Sequence, residues 1–450
     1  MAKEWVAHRG YHDVARPELL DLIPLTAQKI LDLGCANGEL GAAVKRRQNC
    51  EITGIELNKA AAAIAEKQLD RVYIDNLNRF DPTFLNDKYD CIILADILEH
   101  LIAPWTVLEK FAKVLTTGGV LIASIPNIAH PEIIQELQEG LFRYRFAGLL
   151  DIGHLRFFTK TSIFQLFYRA KLKIINCTLH PSNEQPQSYL ITAVKPAHQY
   201  REAVATILIL TCNAWKHTQM CINSIKQKTH VPYKILAIDN GSTDETVKEL
   251  RRDRQVYHIE NSCNLGFAKG FNIGLTLIDT PYFVLANSDV IVTESWLACM
   301  IENISQDKDL TILGPRSNHV SGPQLIKDVA YKDAKGLEAF AVSRLKDIKE
   351  PLTYHNRICF FFTLFKTISL GKVGFLDEQF GKGNFEDDDY CLRNHLAKAK
   401  SAYDNTVFIH HWGNRTFQAN KISHSDLMKE NKEKFMKKWN LKEYNPFRPS

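Results

Sequence analysis

The sequence has 450 residues, of which 45% are hydrophobic and 24% are charged, and its formal net charge is +5. This length predicts two or three domains, and the composition is that of a globular protein rather than a disordered or fibrous one. Nucleic-acid binding needs a concentrated basic face, and so small a net charge does not indicate one. We therefore expect no nucleic-acid partner.

The first residues and the cysteines bear on the cellular compartment. The segment MAKEWVAHRG lacks the apolar core of a signal peptide, and apolar runs such as Ile358–Phe365 are too short to span a bilayer and are typical of core strands. The 10 cysteines, among them Cys35, Cys91, Cys212 and Cys359, form no CxxC pair. We therefore expect buried, reduced thiols and no zinc site, in a soluble and cytoplasmic protein.

The first half of the chain alternates strand-like and helix-like segments. Strands are predicted at Ile30–Leu33, Glu51–Ile55, Arg71–Ile74, Cys91–Leu94 and Val120–Ile125. Helices are predicted between them, for example at Lys59–Leu69 and Pro104–Leu115. This alternation predicts a parallel sheet covered on both faces. The later runs Lys171–Thr178 and Ser188–Val194 predict a hairpin that closes this sheet, since a turn-rich segment joins them.

A second α/β pattern follows a short polar segment. We predict a first domain over residues 1–195, a linker over 196–204, a second domain over 205–420 and a basic C-terminal helix and tail over 421–450. Strands of the second domain are predicted at Thr206–Leu210, Lys234–Ile238, Val256–Glu260 and Tyr282–Ala286. In the tail, KEKFMKKW either packs Phe435 and Trp439 on the second domain, which we favour, or contacts anionic lipid at a membrane surface.

A glycine-containing turn follows the first predicted strand. In ILDLGCANG (Ile30–Gly38) the strand ends at Asp32 and leads through glycines into a helix. Nucleotide cofactors bind at the carboxyl ends of such strands, and glycine lets the backbone approach a ligand closely. Glu56, at the end of the next strand, can accept both hydroxyls of a ribose. Alone, this segment is also compatible with a plain tight turn or a dinucleotide-binding turn.

Three further segments decide between these alternatives. YDCIILADILEHL (Tyr89–Leu101) and GGVLIASIPN (Gly118–Asn127) resemble the fourth- and fifth-strand motifs of class I methyltransferases that use S-adenosylmethionine. HLRFFT (His154–Thr159) resembles a motif of methyltransferases in surface-polysaccharide pathways. The resemblance covers nearly all of residues 1–195 and implies a Rossmann-like sheet that binds S-adenosylmethionine.

The methyltransferase resemblance implies roles for particular residues. It implies cofactor contacts from Asp32, Gly34 and Gly38 at the methionine moiety, Glu56 at the ribose, Asp75 at the adenine edge and Asp96 near the sulfonium. Ala36 departs from the family, which often has glycine there. For a sugar hydroxyl as acceptor, His100 or His154 is the natural general base, although each could simply pack in the structure.

Polar residues also follow the strands of the second domain. TILILTCNAW (Thr206–Trp215) and ILAIDNGSTDET (Ile235–Thr246) are strands that lead into polar turns, and NLGFAKGFNIG (Asn264–Gly274) predicts a helix punctuated by glycines. Asp239 could contact a base or ribose, or DNGS could be only a turn with a helix cap. YFVLANSDV ends in Asp289, which is costly to bury unless a charge meets it, so we expect a divalent cation with a diphosphate.

Four adjacent acids, Glu386–Asp389, follow a glycine-rich loop in VGFLDEQFGKGNFEDDDYCLR. Their aromatic and apolar flanks favour a functional site over a solvated acidic turn. The motif FIHHWGNRTF (Phe408–Phe417) comes next. Together these segments resemble the inverting family 2 glycosyltransferases with a GT-A fold, over about residues 204–418 in five ordered motifs. ILGPRSNHVSGPQ (Ile312–Gln324) also resembles a segment of bacterial surface-polysaccharide members.

The glycosyltransferase resemblance implies a second set of roles. It implies contacts with the nucleotide sugar from Thr211, Asn213, Asp239, Asn240, Asp244, Asn264, Gly266 and Asn287. The family's Asp-x-Asp is here Asn287-Ser288-Asp289, so Asp289 needs a second ligand for Mg²⁺ or Mn²⁺. His411 fits by its spacing from Thr416, with His410 as the fallback. Asp387 is implied as the general base, with Glu386 as the alternative.

We therefore expect a two-domain α/β enzyme that adds both a sugar and a methyl group to a glycan. Its partners would be a nucleotide-sugar donor and a glycan or lipid-linked saccharide acceptor. A glycosyltransferase with a degenerate methyltransferase module is the alternative, supported by Ala36. A third hypothesis is that the first domain is a dinucleotide-binding oxidoreductase, or that the whole chain is a non-enzymatic scaffold.

Overall fold

The chain divides into two compact units, Met1–Gln199 and Tyr200–Ser450. The computed structural model describes residues 16–181, 187–197, 202–413, 415, 419–420 and 423–444. The predicted linker, residues 196–204, spans the division between the units. Each unit is built around its own mixed sheet, which confirms the prediction of two α/β folds.

The sheet of the first unit has seven strands among the described residues. They are β1 (Lys29–Leu33), β2 (Glu51–Glu56), β3 (Arg71–Ile74), β4 (Tyr89–Ala95), β5 (Leu115–Pro126), β6 (Lys173–His180) and β7 (Ser188–Val194). Their spatial order is β3-β2-β1-β4-β5-β7-β6. The first five strands pair in parallel, whereas β7 is antiparallel to both β5 and β6. The predicted hairpin therefore closes one edge of the sheet.

Helices cover this sheet, and residues such as Ile30, Ile93 and Ile122 form its core. The α-helices are Pro17–Leu20, Glu39–Arg47, Lys59–Ala65, Pro104–Ala112, Pro131–Gln138 and Lys160–Arg169, and the 3₁₀ helices are Pro82–Leu85 and Leu98–His100. The predicted helix Lys59–Leu69 ends early, at Ala65, and Leu69 turns inward to join the core. The predicted helix Pro104–Leu115 ends at Ala112 because Leu115 begins β5.

The sheet of the second unit has nine strands among the described residues. They are β8 (Ala205–Thr211), β9 (Tyr233–Asp239), β10 (Val256–Glu260), β11 (Tyr282–Asn287), β12 (Val290–Ile291), β13 (Leu310–Ser317), β14 (Leu352–Tyr354), β15 (Phe362–Lys366) and β16 (Lys400–His411). The order is β10-β9-β8-β11-β15-β13-β16-β12, with β14 beside β16. The strands β8 to β11 pair in parallel, so the polar turns that follow them meet at one edge.

Two predictions for the second unit need correction. The strand predicted at Ile358–Phe365 begins later, at Phe362, and ends at Lys366. Cys359 lies before it, and its amide donates to Oε1 of Gln324 at 2.8 Å. The predicted helix Asn264–Gly274 begins at Phe267, because Gly266 has a φ of 87° and cannot be part of it.

Helices flank the second sheet as they do the first. They are Trp215–Lys228, Thr246–Arg252, Phe267–Leu275, Trp296–Ser305, Ala334–Arg344, Ile368–Val373, Glu386–Leu396 and His424–Lys438. The 3₁₀ helices are Gly322–Gln324, Leu345–Asp347 and Glu378–Phe380. We call Glu386–Leu396 the acidic helix and His424–Lys438 the C-terminal helix. The core beneath them is built around residues such as Ile207, Val284 and Trp296.

The C-terminal helix packs on the second unit. Phe435 is fully buried against Phe380, Phe385 and Leu392, and Trp439 packs on the edge of the same cluster. This packing is the arrangement that we favour from the sequence for Phe435 and Trp439.

Two further expectations concern spanning helices and cysteines. Across the described ranges, no helix combines the length and the apolar character needed to cross a bilayer. None of the ten cysteines forms a disulfide bond. Cys263, however, is exposed rather than buried.

Candidate functional sites

The glycine turn after β1 and the acid after β2 are in direct contact. The strands are parallel neighbours, so their carboxyl ends adjoin. One oxygen of Glu56 accepts from the amide of Ala36 at 3.0 Å, and the other accepts from the amide of Asn58 at 2.7 Å. Carboxylate oxygens retain further acceptor capacity for ribose hydroxyls. The predicted cofactor residues Asp32, Gly34 and Glu56 are thus brought to one edge of the sheet.

The backbone of this turn explains why glycine is favoured in it. Gly34 has a φ of 75°, and a Cβ there would lie 2.1 Å from the Cδ1 atom of Ile97. Gly38 also has a positive φ, of 83°, where it begins the helix Glu39–Arg47. Ala36 has a φ of 47°, the left-handed region that costs an L-residue about 1 kcal/mol. The departure from glycine at this position is therefore tolerated with strain.

Asp32 is the buried acid of this site, with 2% of its surface exposed. Burial, and secondarily the Glu56 carboxylate, raises the pKa of Asp32 to about 7. A positively charged ligand group beside Asp32 would favour its ionised form, because an opposite charge lowers the pKa of a carboxyl group.

The other two predicted cofactor acids lie after β3 and β4. Asp75 is exposed, and its amide donates to the carbonyl of Glu56 at 3.1 Å. The Asp96 carboxylate accepts from the hydroxyl of Ser124 at 2.6 Å and forms an ion pair with Arg16. Sequence reasoning missed Arg16, because a partner 80 positions away leaves no local pattern.

The two candidate bases, His100 and His154, pack against each other. Their ring centroids are 4.9 Å apart at an interplanar angle of 72°. Nδ1 of His100 lies 3.0 Å from the carbonyl oxygen of Gly153, and Nδ1 of His154 lies 3.1 Å from that of Leu149. Because a carbonyl oxygen only accepts, Nδ1 carries a proton in both rings, and the neutral form of each ring has its lone pair on Nε2.

The second unit contains a cavity of about 1100 Å³ at the carboxyl ends of its parallel strands. Nine of the predicted site residues line it: Thr211, Asn240, Asn264, Gly266, Asn287, Asp289, Glu386, Asp387 and His411. The predicted residues Asn213, Asp239 and Asp244 and the fallback ligand His410 are not part of its lining. Site residues predicted from six separate segments therefore converge on one cavity.

Residues outside the lining hold the turns that shape the cavity. Oδ1 of Asn213 accepts from the amide of Thr243 at 2.9 Å, and Asp244 accepts from the amide of Trp215 at 3.1 Å. Asp239 accepts from the amides that follow it, and burial raises its pKa to about 6. These contacts connect the turns after β8 and β9.

Asn240 and Gly266 connect the next turn to the loop before the acidic helix. Nδ2 of Asn240 donates to the carbonyl of Gly266 at 2.9 Å and to Oδ1 of Asn264 at 3.1 Å. A Cβ on Gly266 would lie 2.1 Å from the carbonyl oxygen of Gly381. Only glycine permits this approach, because Gly266 also has a φ of 87°. The hydroxyl of Thr211, which also lines the cavity, is 2.8 Å from the hydroxyl of Thr218.

Asp289 and His411 face each other inside the cavity. Nε2 of His411 is 3.2 Å from Oδ1 of Asp289, and its Nδ1 is 2.7 Å from the carbonyl oxygen of His319. Since that carbonyl requires a proton on Nδ1, the neutral ring directs its Nε2 lone pair at a carboxylate. A cation between the two atoms, or a proton on the ring, removes this repulsion. Asp289 and His411 therefore fit a metal ion, with the outer hydrogen bond typical of a metal-bound histidine.

Several effects combine on the Asp289 carboxyl. Burial would raise its pKa, but the protonated form of His411, as a hydrogen-bond donor and a positive charge, and the amide of Arg415 bring the pKa below its ordinary value. Asn287 reaches the same imidazole, with its Nδ2 3.5 Å from Nε2 of His411. His410, the fallback ligand, instead pairs its Nδ1 with the hydroxyl of Tyr331 at 2.7 Å.

The four adjacent acids form the buried first turn of the acidic helix. Nε of Arg357 lies 2.5 Å from Asp388, and the hydroxyl of Tyr444 donates to Asp388 at 2.6 Å. Asp389 is paired with Arg393 at 2.8 Å. A solvated acidic turn is therefore excluded, and two of the four charges are neutralised by cations.

Glu386 and Asp387 are the other two acids, and both line the cavity. Burial, and then the charge of Asp387, raises the pKa of Glu386 well above its ordinary value, and its buried Oε2 atom has no partner among the described residues. Burial, and then the charge of Asp388, raises the pKa of Asp387, which Arg357 partly opposes. A carboxylate with a raised pKa is suited to accept a proton near neutral pH.

Sequence reasoning missed other residues of the cavity wall. Arg357, Tyr444 and His319 all line it. In the sequence, Arg357 directly precedes the apolar run Ile358–Phe365, which is only a weak signal of a functional site. Nothing in the tail sequence indicates that Tyr444 reaches Asp388.

Comparisons with known families agree with the two folds. Residues 7–176 match the family described as a methyltransferase domain, and residues 206–369 match glycosyl transferase family 2. The chain therefore carries a methyltransferase domain followed by a family 2 glycosyltransferase domain. The acidic helix and His411 lie beyond the residues matched to the second family.

Three curated relatives illustrate these similarities. A hyaluronan synthase of Pasteurella multocida is 24% identical over 231 residues, which are 44% of this chain and 23% of that protein. An uncharacterized glycosyltransferase of Haemophilus influenzae is 29% identical over 115 residues, 25% of this chain and 36% of that protein. A ubiquinone biosynthesis O-methyltransferase of Alkalilimnicola ehrlichii is 29% identical over 130 residues, 26% of this chain and 50% of that protein. The chain thus spans half or less of the length of each.

Proposed function

We propose that this chain is a bifunctional glycan-modifying enzyme that transfers a sugar from a nucleotide-sugar donor and a methyl group from S-adenosylmethionine. The observation that carries the proposal is the cavity that is lined both by the Asp289–His411 pair and by Glu386 and Asp387, two acids without an ion-pair partner among the described residues. A cation site and a proton acceptor in one cavity are what transfer from a diphosphate-activated sugar requires. We assign the enzyme to cell-surface polysaccharide biosynthesis, on the motifs of both domains.

Sugar transfer proceeds, in this proposal, as a single displacement with inversion at the anomeric carbon. Asp387 accepts the proton of the acceptor hydroxyl as that oxygen attacks, and Glu386 is the alternative acceptor. Asp289 and His411 hold Mg²⁺ or Mn²⁺, with the remaining ligands left to the donor diphosphate. When bound, the cation neutralises the charge of the departing nucleoside diphosphate. The turns that receive the nucleotide are held in place by hydrogen bonds to the side chains of Asn213, Asp239 and Asp244.

Methyl transfer uses the glycine turn of the first unit. Asp32 and Glu56 hold the cofactor at its methionine and ribose ends, and Asp75 borders its adenine. When bound, S-adenosylmethionine supplies an activated methyl group, so the protein needs mainly to align the acceptor. Nε2 of His100 or His154 accepts the proton of the acceptor hydroxyl, since the Nδ1 atoms of both rings are occupied.

A paired binding titration of the full chain tests this proposal. One titration uses S-adenosylhomocysteine, and the other uses a panel of nucleoside diphosphates with and without Mn²⁺. We expect saturable binding of both classes, and Asp289→Asn should remove only the Mn²⁺-dependent part of nucleotide binding. Nucleotide binding without S-adenosylhomocysteine binding would support the alternative of a glycosyltransferase with a degenerate methyltransferase module, which the strained Ala36 favours.

Two further observations bear on the cellular compartment of the reactions and on contact with a membrane. We place both reactions in the cytoplasm, a reducing compartment that suits ten cysteines without a disulfide bond. The acceptor in this proposal is a glycan or a lipid-linked saccharide. Because Phe435 is buried, membrane contact through the tail would involve only its basic surface, and a liposome flotation assay without binding would end that idea.

A further inference from the structure

Three potential metal ligands meet beside the predicted methyl-transfer site. They are Glu99 and His100, in the short helix after β4, and His154, which lies 54 positions further along. One ligand atom from each residue lies within 4.8 Å of those of the other two. Two backbone bonds hold the segments together, because the amides of Leu155 and Arg156 donate to the carbonyl of Glu99 at 2.8 and 3.0 Å.

Glu99 is the unusual member of this group. It is 1% exposed, and neither of its carboxylate oxygens has a hydrogen-bond partner in the part of the chain that the structure describes. A buried carboxylate without a partner is costly and is rare in native proteins. A bound cation would satisfy both oxygens.

Both histidines have the outer hydrogen bonds that metal ligands need. Each Nδ1 is bonded to a backbone carbonyl, at 3.0 Å for His100 and 3.1 Å for His154. A carbonyl acceptor fixes the neutral tautomer and leaves Nε2 as the metal-binding atom. His100 is only half-buried, so an ion would keep positions open for other ligands.

We propose that Glu99, His100 and His154 form a binding site for a divalent transition-metal ion in the methyltransferase domain. Two imidazoles and one carboxylate suit borderline ions such as Fe²⁺, Co²⁺ or Zn²⁺, and three protein ligands leave the remaining positions open. Ligands of such an ion lie about 2.1 Å from it and hence at most about 4.3 Å apart. Small side-chain adjustments would close the observed spacing.

The site changes the roles open to the two histidines. An imidazole whose Nε2 lone pair binds a metal ion cannot also accept a proton there. With the ion bound, both histidines would be ligands and the proton of the acceptor hydroxyl would pass to water, so the role of base proposed above would apply only to the metal-free domain. The ion would instead favour ionisation of a hydroxyl bound at one of its open positions.

The test measures cobalt binding to the full chain carrying Asp289→Asn. This substitution removes a ligand of the cation site that we propose in the second unit. Cobalt content after equilibrium dialysis and the visible absorption of bound Co²⁺ are both measured. We expect one ion per chain, with affinity weakened roughly 100-fold or more by Glu99→Gln or His154→Gln, because even outer-shell changes cost 10- to 100-fold. His180→Gln, a histidine change elsewhere in the same unit, should leave binding unchanged.

A second measurement needs no change at the site itself. At a hundredfold excess of Co²⁺ over its Kd, the unfolding temperature of the first unit should rise by roughly 5–11 °C in the Asp289→Asn chain. Absence of this shift, or equal cobalt binding by the Glu99 and His154 variants, would overturn the proposal. Neither measurement involves methyl transfer, so cobalt binding without S-adenosylhomocysteine binding would refute the proposed methyltransferase activity and leave the metal site standing.

Discussion

Replacing Asp387 with asparagine should separate catalysis from stability in the glycosyltransferase domain. The change keeps the shape of the side chain but removes the carboxylate that we propose as the general base. A positioned base contributes roughly 10²–10⁴-fold to a rate, so sugar transfer should fall by that factor. Methyl transfer and S-adenosylhomocysteine binding should be unchanged, because they belong to the other unit.

The effect of this substitution on stability follows from the pKa of Asp387. Burial and the charge of Asp388 raise the pKa above the ordinary 3.8, so the folded state loses stability as the pH rises past that value. The full penalty is present above the folded-state pKa. Asp387→Asn removes this penalty, and at pH 8 the variant should unfold at a temperature equal to or above that of the unsubstituted chain.

Asp389→Asn is the matched control in the same helix. Asp389 is fully buried and neutralises Arg393 and Lys438, whose side chains keep 20% and 27% of their exposure. Its loss should cost on the order of 2 kcal/mol and lower the unfolding temperature by roughly 4–8 °C, while folded protein still transfers sugar.

The assay is release of nucleoside diphosphate from a panel of nucleotide sugars, with Mn²⁺ and with water or saccharides as acceptors. Unfolding temperature is measured on the same samples. An Asp387→Asn chain that keeps its transfer rate within about threefold would refute the assignment of Asp387 as the base. Glu386→Gln would then be the next variant to test.

Three other predictions concern separate parts of the chain. Ala36→Gly should raise the unfolding free energy of the first unit by up to about 1 kcal/mol, because it relieves a left-handed φ, whereas the helical control Ala42→Gly should lower it by about as much. Calorimetry should show S-adenosylhomocysteine affinity rising about tenfold per pH unit until about pH 7 and then levelling off, because binding to protonated Asp32 must release its proton. Asp32→Asn should abolish that slope, and a slope that persists would exclude Asp32. Phe435→Ala should cost about 3–5 kcal/mol in the second unit alone, as seen by two-phase calorimetric unfolding, and a small cost would mean that the C-terminal helix is not part of that fold.

The sequence alone determined the two folds and most strand positions. Strands buried on both faces are continuous apolar runs, such as Cys91–Leu94, and such runs can be recognised in the sequence without knowledge of the neighbouring strands. The polar residues that end them, such as Asp32 and Asp289, were likewise identified locally. Helix ends were less accurate, because residues such as Leu69 turn inward to fill the core rather than follow helical periodicity.

Only the tertiary structure decided which of these groups act together. Asp289 meets His411 across 122 positions, and Glu99 meets His154 through a loop that no local pattern places there. The acidic run Glu386–Asp389 shows why: its four carboxylates look alike in sequence, yet two are paired with cations and two are not. Protonation and metal affinity depend on burial and on long-range charge partners, and both are fixed by the folded chain rather than by neighbours in sequence.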